Sequence, residues 1–165
     1  MVVEQVKGIT FDYQTQTAAS MGVILRAAFG KKDGILEGCD VTIPNISGVK
    51  IDKGDILICG RHLQVTDEFM LPTNGFNSPG DKYCRILLQL DMSNTASADE
   101  FTQAEILFKY SQTSSVFPSL IQEDINHDGT IYQAEICTVS LDTGGHPTSI
   151  IHKWQPVSNG LLLTT

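Results

Sequence analysis

A twelve-residue segment late in the chain has the residue types and spacing of a calcium-binding loop. Oxygen-bearing side chains occupy its first, third and fifth positions (Asp124, Asn126 and Asp128), Gly129 is sixth, and Glu135 is twelfth. Calcium binds about six to eight oxygen ligands, and a glycine at the sixth position permits the sharp turn that gathers them. Calcium binding is therefore one hypothesis for this segment.

The residues on either side of this segment favour a different structure. An EF-hand loop lies between two helices, but Pro118 leaves little room for a helix upstream, and residues 136–141 are β-branched and strand-like. Asparagine, aspartate and glycine are also turn formers, so the same residues predict a hairpin turn between residues 120–122 and 131–133. A strand would then carry Glu135 away from the turn. We predict the hairpin, with no metal and no cofactor, and retain calcium as the alternative.

No catalytic constellation is recognisable elsewhere in the sequence. The four histidines lack metalloprotease spacing, and no nucleophile elbow, dinucleotide loop or phosphate loop is present. The four cysteines are irregularly spaced without a C-x-x-C pair, and each lies in or beside an apolar run, which predicts reduced, buried thiols. These residues are His62, His127, His146 and His152, and Cys39, Cys59, Cys84 and Cys137. We predict that the protein is not an enzyme.

Composition and charge restrict the class of protein further. The 165 residues are 41% apolar and 18% charged, which is typical of one globular domain. The net charge of −8 disfavours nucleic acid as a partner, because phosphate binding requires clustered lysine and arginine. No apolar run reaches the roughly 18 residues of a membrane span, and the first residues do not resemble a signal peptide.

The first third of the chain predicts one strand, one helix and a series of hairpins. Residues 2–13 alternate as a strand does, and residues 15–29 repeat apolar side chains at helical spacing. Asp12, Thr15 or Thr17 would cap the start of this helix, and Gly30 would end it. Residues 1–32 would form an attachment element and residues 33–70 a β-hairpin ladder. Within the ladder, Gly60 and Arg61 predict a two-residue type II′ turn, with Arg61 on the surface.

The pattern of strands and turns in the second half of the chain predicts a β-sandwich or an open barrel of antiparallel hairpins. Residues 71–82 are rich in turn formers and predict a long loop. Residues 83–165 would form the sandwich portion, with strands at 84–90, 104–110, 130–141 and 149–154. The predicted fold is therefore a single, mainly β domain over residues 1–165 with one N-terminal α-helix.

Several runs resemble a module of bacteriophage and prophage tail or baseplate proteins. They are the Gly38-Cys39-Asp40-Val41 run, the Gly-Arg pair of residues 60–61, and the segment from Gln122 to Gln133. The resemblance implies a virion structural protein of the tail, baseplate or fibre base, made in the bacterial cytoplasm. It also implies a homo-oligomer, commonly a trimer, that contacts other tail or baseplate proteins.

The apolar helix face would then pack against the hairpins or against another subunit. That face comprises Met21, Ile24, Leu25 and Ala28. The alternative function is a host-surface carbohydrate- or receptor-binding module, calcium-stabilised through Asp124, Asn126, Asp128 and Glu135. Its glycan platform would use the aromatic residues Tyr13, Phe76, Tyr83 and Trp154, although Trp154 among apolar neighbours is more typical of a core residue.

Overall fold

The computed structural model describes residues 17–73, 80–95, 101–113 and 116–157. Its elements are α1 (Ala18–Ala28), β1 (Gly34–Gly38), β2 (Val41–Asn45), β3 (Gly48–Ile51), β4 (Gly54–Ile58), β5 (Arg61–Val65), β6 (Phe69–Pro72), β7 (Tyr83–Asp91), β8 (Ala104–Ser111), β9 (Ile131–Leu141) and β10 (Pro147–Lys153). The prediction of a mainly β fold with one N-terminal helix is confirmed. The strand predicted over residues 2–13 lies outside the described residues.

The strands form three antiparallel sheets. Their orders are β1-β4-β5, β2-β3-β6 and β10-β9-β7-β8. β2–β3 and β4–β5 are hairpins of neighbouring strands, but β1 pairs with β4 across both strands of the intervening hairpin. The region predicted as one ladder therefore divides between two sheets. β6, which pairs with β3, includes residues 71 and 72, so the first two residues of the loop predicted over residues 71–82 belong to a strand instead. Residues 74–79 of that predicted loop lie outside the described residues.

Helix α1 has well-defined ends. Thr17 accepts a hydrogen bond from the Ser20 backbone N–H, and the Ser20 hydroxyl accepts one from the Thr17 N–H, which makes a capping box. After the C-cap, Gly30 takes a positive φ of 66° and Lys31 donates to the Arg26 carbonyl, as in a Schellman motif. The cap at Thr17 and the glycine stop were both among the sequence predictions.

The turn between β4 and β5 differs from its prediction. Ile58 pairs with Arg61, so the two turn residues are Cys59 and Gly60 rather than Gly60 and Arg61. Both have positive φ, 49° at Cys59 and 74° at Gly60, as in a type I′ turn. The type II′ prediction was wrong because a non-glycine residue occupies the first left-handed position, which sequence propensity disfavours.

The largest sheet supplies much of the core. On β7 the alternating residues Cys84, Ile86, Leu88 and Leu90 are buried, as the pattern predicted. They pack with buried residues of β9 and of the two smaller sheets. All four cysteines are free and buried, which confirms the prediction of small, core thiols. Within the part of the chain described, no helix has the length and apolar character to cross a membrane.

Candidate functional site

The segment that resembles a calcium-binding loop forms a hairpin-like turn in the structure. Glu123 and Ile131 are joined by a backbone hydrogen bond, Gln133 donates to the Ile121 carbonyl, and Gln122 forms an antiparallel bridge with Tyr132. The segment from Asp124 to Thr130 is a turn closed by these contacts. Glu135 lies five residues into β9, as expected if the strand carries it away from the turn.

Three of the four residues proposed as calcium ligands, Asp124, Asn126 and Glu135, make other contacts. Arg85 donates to the Glu135 carboxylate through Nε and Nη2, at 3.1 and 3.0 Å. Asp124 accepts from the Asn126 backbone and pairs with His127. Asp128 is exposed. Among the described residues, no three histidine, cysteine or acidic side chains are grouped so that they could hold a metal ion.

Asn126 instead joins the turn to the rest of the molecule. Its side chain is buried, and its amide Nδ2 donates to the Cys59 carbonyl at 2.7 Å. Its Oδ1 accepts from Arg61 Nε at 3.1 Å, while Arg61 Nη2 donates to the Ile125 carbonyl at 3.1 Å. The prediction that Arg61 is merely a surface turn residue was wrong. Arg61 is half-buried and connects β5 to the turn.

Helix α1 packs on the same place through its glycine. Gly22 is the only buried residue of the helix, and a Cβ built there would lie 2.3 Å from Asn126 Oδ1. A Cβ built on Gly60 would lie 1.9 Å from the Gly22 carbonyl oxygen. The helix and the β4–β5 turn therefore approach at a distance that only glycines allow. We call this contact region of α1, the β4–β5 turn and the Asn126 turn the helix junction.

Arg26 completes the helix junction one turn along the helix. Its Nη1 donates to the Cys59 thiol sulfur at 3.0 Å, and its guanidinium lies 5.5 Å from the centre of the Tyr132 ring. The Tyr132 hydroxyl donates to Asp33 at 2.6 Å, and the other Asp33 oxygen accepts from the Cys59 N–H. A basic residue in the last turn of a helix indicates a favourable interaction with the helix dipole, and no sequence pattern indicated this tertiary role of Arg26.

The electrostatics of the helix junction do not favour a reactive thiol. Burial raises the pKa of Cys59, and the nearby Arg26 charge acts in the opposite direction without cancelling it. Burial also raises the pKa of Tyr132, with its hydrogen bond to Asp33 adding to the shift. A thiolate is the nucleophilic form of cysteine, so a raised pKa keeps Cys59 in its unreactive form.

Three of the four histidines form exposed pairs with aspartates. They are His62 with Asp55, His127 with Asp124 and His146 with Asp142, at 2.6, 2.9 and 3.1 Å. Over the described residues, none of these imidazoles hydrogen-bonds a serine, threonine or cysteine side chain. The pairs thus lack the nucleophile that a histidine–aspartate pair activates in hydrolases.

The apolar face of α1 predicted from the sequence lies mostly in solvent. Met21 and Ile24 are 41% and 48% exposed, and Val23 beside them is 40% exposed. The side of the helix that packs inward carries Gly22 and the half-buried residues Leu25, Arg26 and Phe29. We call Met21, Val23 and Ile24 the outer helix face.

The aromatic residues proposed as a glycan platform do not form one in the described part of the chain. Trp154 is buried and belongs to the core, and Tyr83 is half-buried on β7. Tyr13 and Phe76 lie outside the described residues.

Fold and site together define a class: a mainly β protein whose single described helix is fixed by a glycine contact and presents an apolar outer face. No protein-family model matches the chain, and no curated protein is significantly similar to it.

Proposed function

We propose that this protein is a non-enzymatic structural component of a bacteriophage or prophage virion, in the tail, baseplate or fibre base. It acts by packing against copies of itself and against neighbouring tail or baseplate proteins. The observation that carries the proposal is the outer helix face, three large apolar side chains that are each at least 40% exposed. Such patches on soluble proteins commonly mark interaction surfaces.

The helix junction supports this function because it holds the exposed face rigidly. Gly22 packs closely against Asn126 and Gly60, and Arg26 donates a hydrogen bond to the Cys59 sulfur, so the opposite side of α1 has a defined orientation. A preorganised surface loses less conformational freedom when it binds. The helix thus serves as an attachment element, as the resemblance to the phage module implies.

Light scattering coupled to size-exclusion chromatography tests the packing. One chain has a mass of 18.0 kDa, so a trimer has a mass of about 54 kDa (three times 18.0). The double variant Met21→Glu/Ile24→Glu should shift the mass toward 18.0 kDa at micromolar concentration, because it places carboxylates in the interface.

Ile46→Glu is the matched control. Ile46 is 65% exposed on the turn between β2 and β3, so this variant should retain the wild-type mass. A wild-type protein that is strictly monomeric across the concentration range would overturn the homo-oligomer.

The virion location has a separate test. Particles purified after prophage induction should contain the protein at stoichiometric abundance by mass spectrometry, and its gene should lie among tail, lysin and holin genes. Absence of the protein from purified particles would contradict the proposed location even if the oligomer were found.

A further inference from the structure

Strand β8 is an edge strand of the largest sheet. It has eight residues, lies at the end of the order β10-β9-β7-β8, and among the described strands pairs with β7 alone. At the start of this pairing, the Gln103 carbonyl accepts from the Asp91 N–H at 2.9 Å, so the backbone of Gln103 faces β7. Hydrogen-bonding direction alternates along a strand, and the backbone groups of Ala104, Ile106 and Tyr110 therefore point away from β7.

The charged residues of β8 are placed symmetrically about its centre. Glu105 and Lys109 are exposed and lie two residues before and two residues after the half-buried Leu107, on the same face of the sheet. The β7 residue opposite Lys109 is Arg85, a like charge that is already paired with Glu135. An identical strand placed antiparallel beside β8, with Leu107 opposite Leu107, would put each Glu105 opposite a Lys109.

The same register fits the direction of the backbone groups. In this register Glu105, Leu107 and Lys109 form the non-hydrogen-bonded pairs, because their backbone groups face β7. Such pairs bring the side chains closer together than the hydrogen-bonded pairs do, which favours an ion pair. Ala104 would lie opposite Tyr110, and both direct their backbone N–H and C=O groups toward the other strand. One register thus satisfies charge and backbone together.

We propose that β8 is a two-fold interface through which two copies of this chain join their largest sheets into one continuous sheet. Charged residues on an edge strand commonly oppose such pairing, but opposite charges placed symmetrically favour one antiparallel register with an identical strand. An interface of eight residues per chain is small, so the association is weak. The β8 contact is separate from the outer helix face and does not rest on the proposed virion role.

Sedimentation equilibrium of the Met21→Glu/Ile24→Glu variant isolates this contact from the outer helix face. At micromolar concentration this variant should have the mass of one chain, and it should approach about 36 kDa (two times 18.0) toward millimolar concentration. Over the same range, hydrogen exchange should slow at the Ala104 and Tyr110 N–H groups. The Leu107 N–H faces β7 and should exchange slowly at every concentration.

Charge reversal in that same variant tests the register. Glu105→Lys or Lys109→Glu places like charges opposite each other twice in the dimer and should weaken association roughly five- to fiftyfold. The exchange Glu105→Lys/Lys109→Glu restores opposite charges and should restore association to within about threefold. Lys53→Glu, at an exposed position between β3 and β4, changes the net charge as Lys109→Glu does and should leave association unchanged.

Four results would overturn the proposal. They are a mass that stays at 18.0 kDa at every concentration, undiminished association in Glu105→Lys, and an exchange variant as weak as the single variants. The fourth is slow exchange of the Ala104 and Tyr110 N–H groups in the monomer, which would mean that the chain itself covers this edge. The proposed virion role is tested on purified particles, so the two proposals fail or succeed separately.

Discussion

At the scale of single residues, Asn126 was proposed as a calcium ligand but hydrogen-bonds to groups of the protein instead. The spacing of acidic and amide side chains suggested that its oxygen could bind calcium. In the structure that oxygen accepts from Arg61, and the amide nitrogen donates to the Cys59 carbonyl. The same side chain thus satisfies two groups of a neighbouring hairpin and closes the helix junction.

Removal of this amide should destabilise the protein measurably. Asn126→Ala leaves the Cys59 carbonyl and Arg61 Nε without their partner, which predicts a loss of about 1–3 kcal/mol in the free energy of unfolding by urea denaturation. Asp128→Ala, at an exposed position in the same turn, is the control and should change stability by less than about 0.5 kcal/mol. Equal effects of the two variants would show that Asn126 does not hold the junction.

Glu123 gives a prediction about pH at the same scale. Its carboxylate accepts from the backbone N–H groups of Ile131 and Thr130, and these bonds lower its pKa below the ordinary 4.5. A lowered acid pKa means that the folded state favours the charged form. The stabilisation is therefore fully present above pH 4.5 and is lost as pH falls through the lowered folded-state pKa.

A ¹³C titration of the Glu123 side-chain carboxyl should give a midpoint below 4.5 in the folded protein. In urea denaturation, the stability difference between wild type and Glu123→Gln should narrow as pH falls through that midpoint. A midpoint at or above 4.5 would mean that the backbone N–H groups do not hold this carboxylate in solution.

At the scale of elements, local patterns predicted the helix and most strands but not how the helix is oriented. Thr17, Gly30 and the β7 alternation are local signals, and the structure agrees with them. Apolar periodicity suggested a buried stripe at Met21 and Ile24, yet the buried residue is Gly22. Close approach of two backbones decides this orientation, and hydrophobicity alone contains no signal for it.

Alanine substitutions at glycines test the close approach. Gly22→Ala improves helix propensity by about 1 kcal/mol, but its Cβ meets Asn126 Oδ1, so we expect a net loss of about 1–3 kcal/mol in the free energy of unfolding by urea denaturation.

Gly60→Ala should lower the free energy of unfolding more than Gly30→Ala does. Both glycines have positive φ, but a Cβ on Gly30 meets open space whereas one on Gly60 meets the Gly22 carbonyl.

Two outcomes would contradict these expectations for the glycine variants. A stabilised Gly22→Ala would show that propensity outweighs contact and that α1 is not tightly packed on the turn. Equal losses at Gly30 and Gly60 would assign the whole cost to the left-handed backbone, which is about 1–2 kcal/mol per residue.

At the scale of the molecule, the sheet pairings lie beyond what local pattern can specify. β1 pairs with β4 across an intervening hairpin, and β9 pairs with β7 rather than with β8, the strand that precedes it in the chain. Such pairings depend on burial of whole sheet faces, which no short window of sequence contains. The helix junction follows from the same topology, since Cys59 and Asn126 are 67 residues apart in the chain. The sequence indicated that residues of the helix junction lie in turns, but it did not predict that these turns contact each other.

The same long-range arrangement predicts how the whole molecule responds to calcium. A site that binds only the folded state and is filled at one hundred times its Kd would add about 2.7 kcal/mol to stability, which would raise the thermal midpoint clearly. We expect equal midpoints in excess calcium and in EDTA, because Arg85 holds Glu135 on β9 while Asn126 bonds the β4–β5 turn. A midpoint raised by calcium in the wild type but not in Asp128→Ala, which removes the oxygen at the fifth loop position, would contradict this expectation and support the calcium loop. Equal midpoints would instead support the view that the hairpin and its contacts at the helix junction, rather than calcium, hold this segment in place.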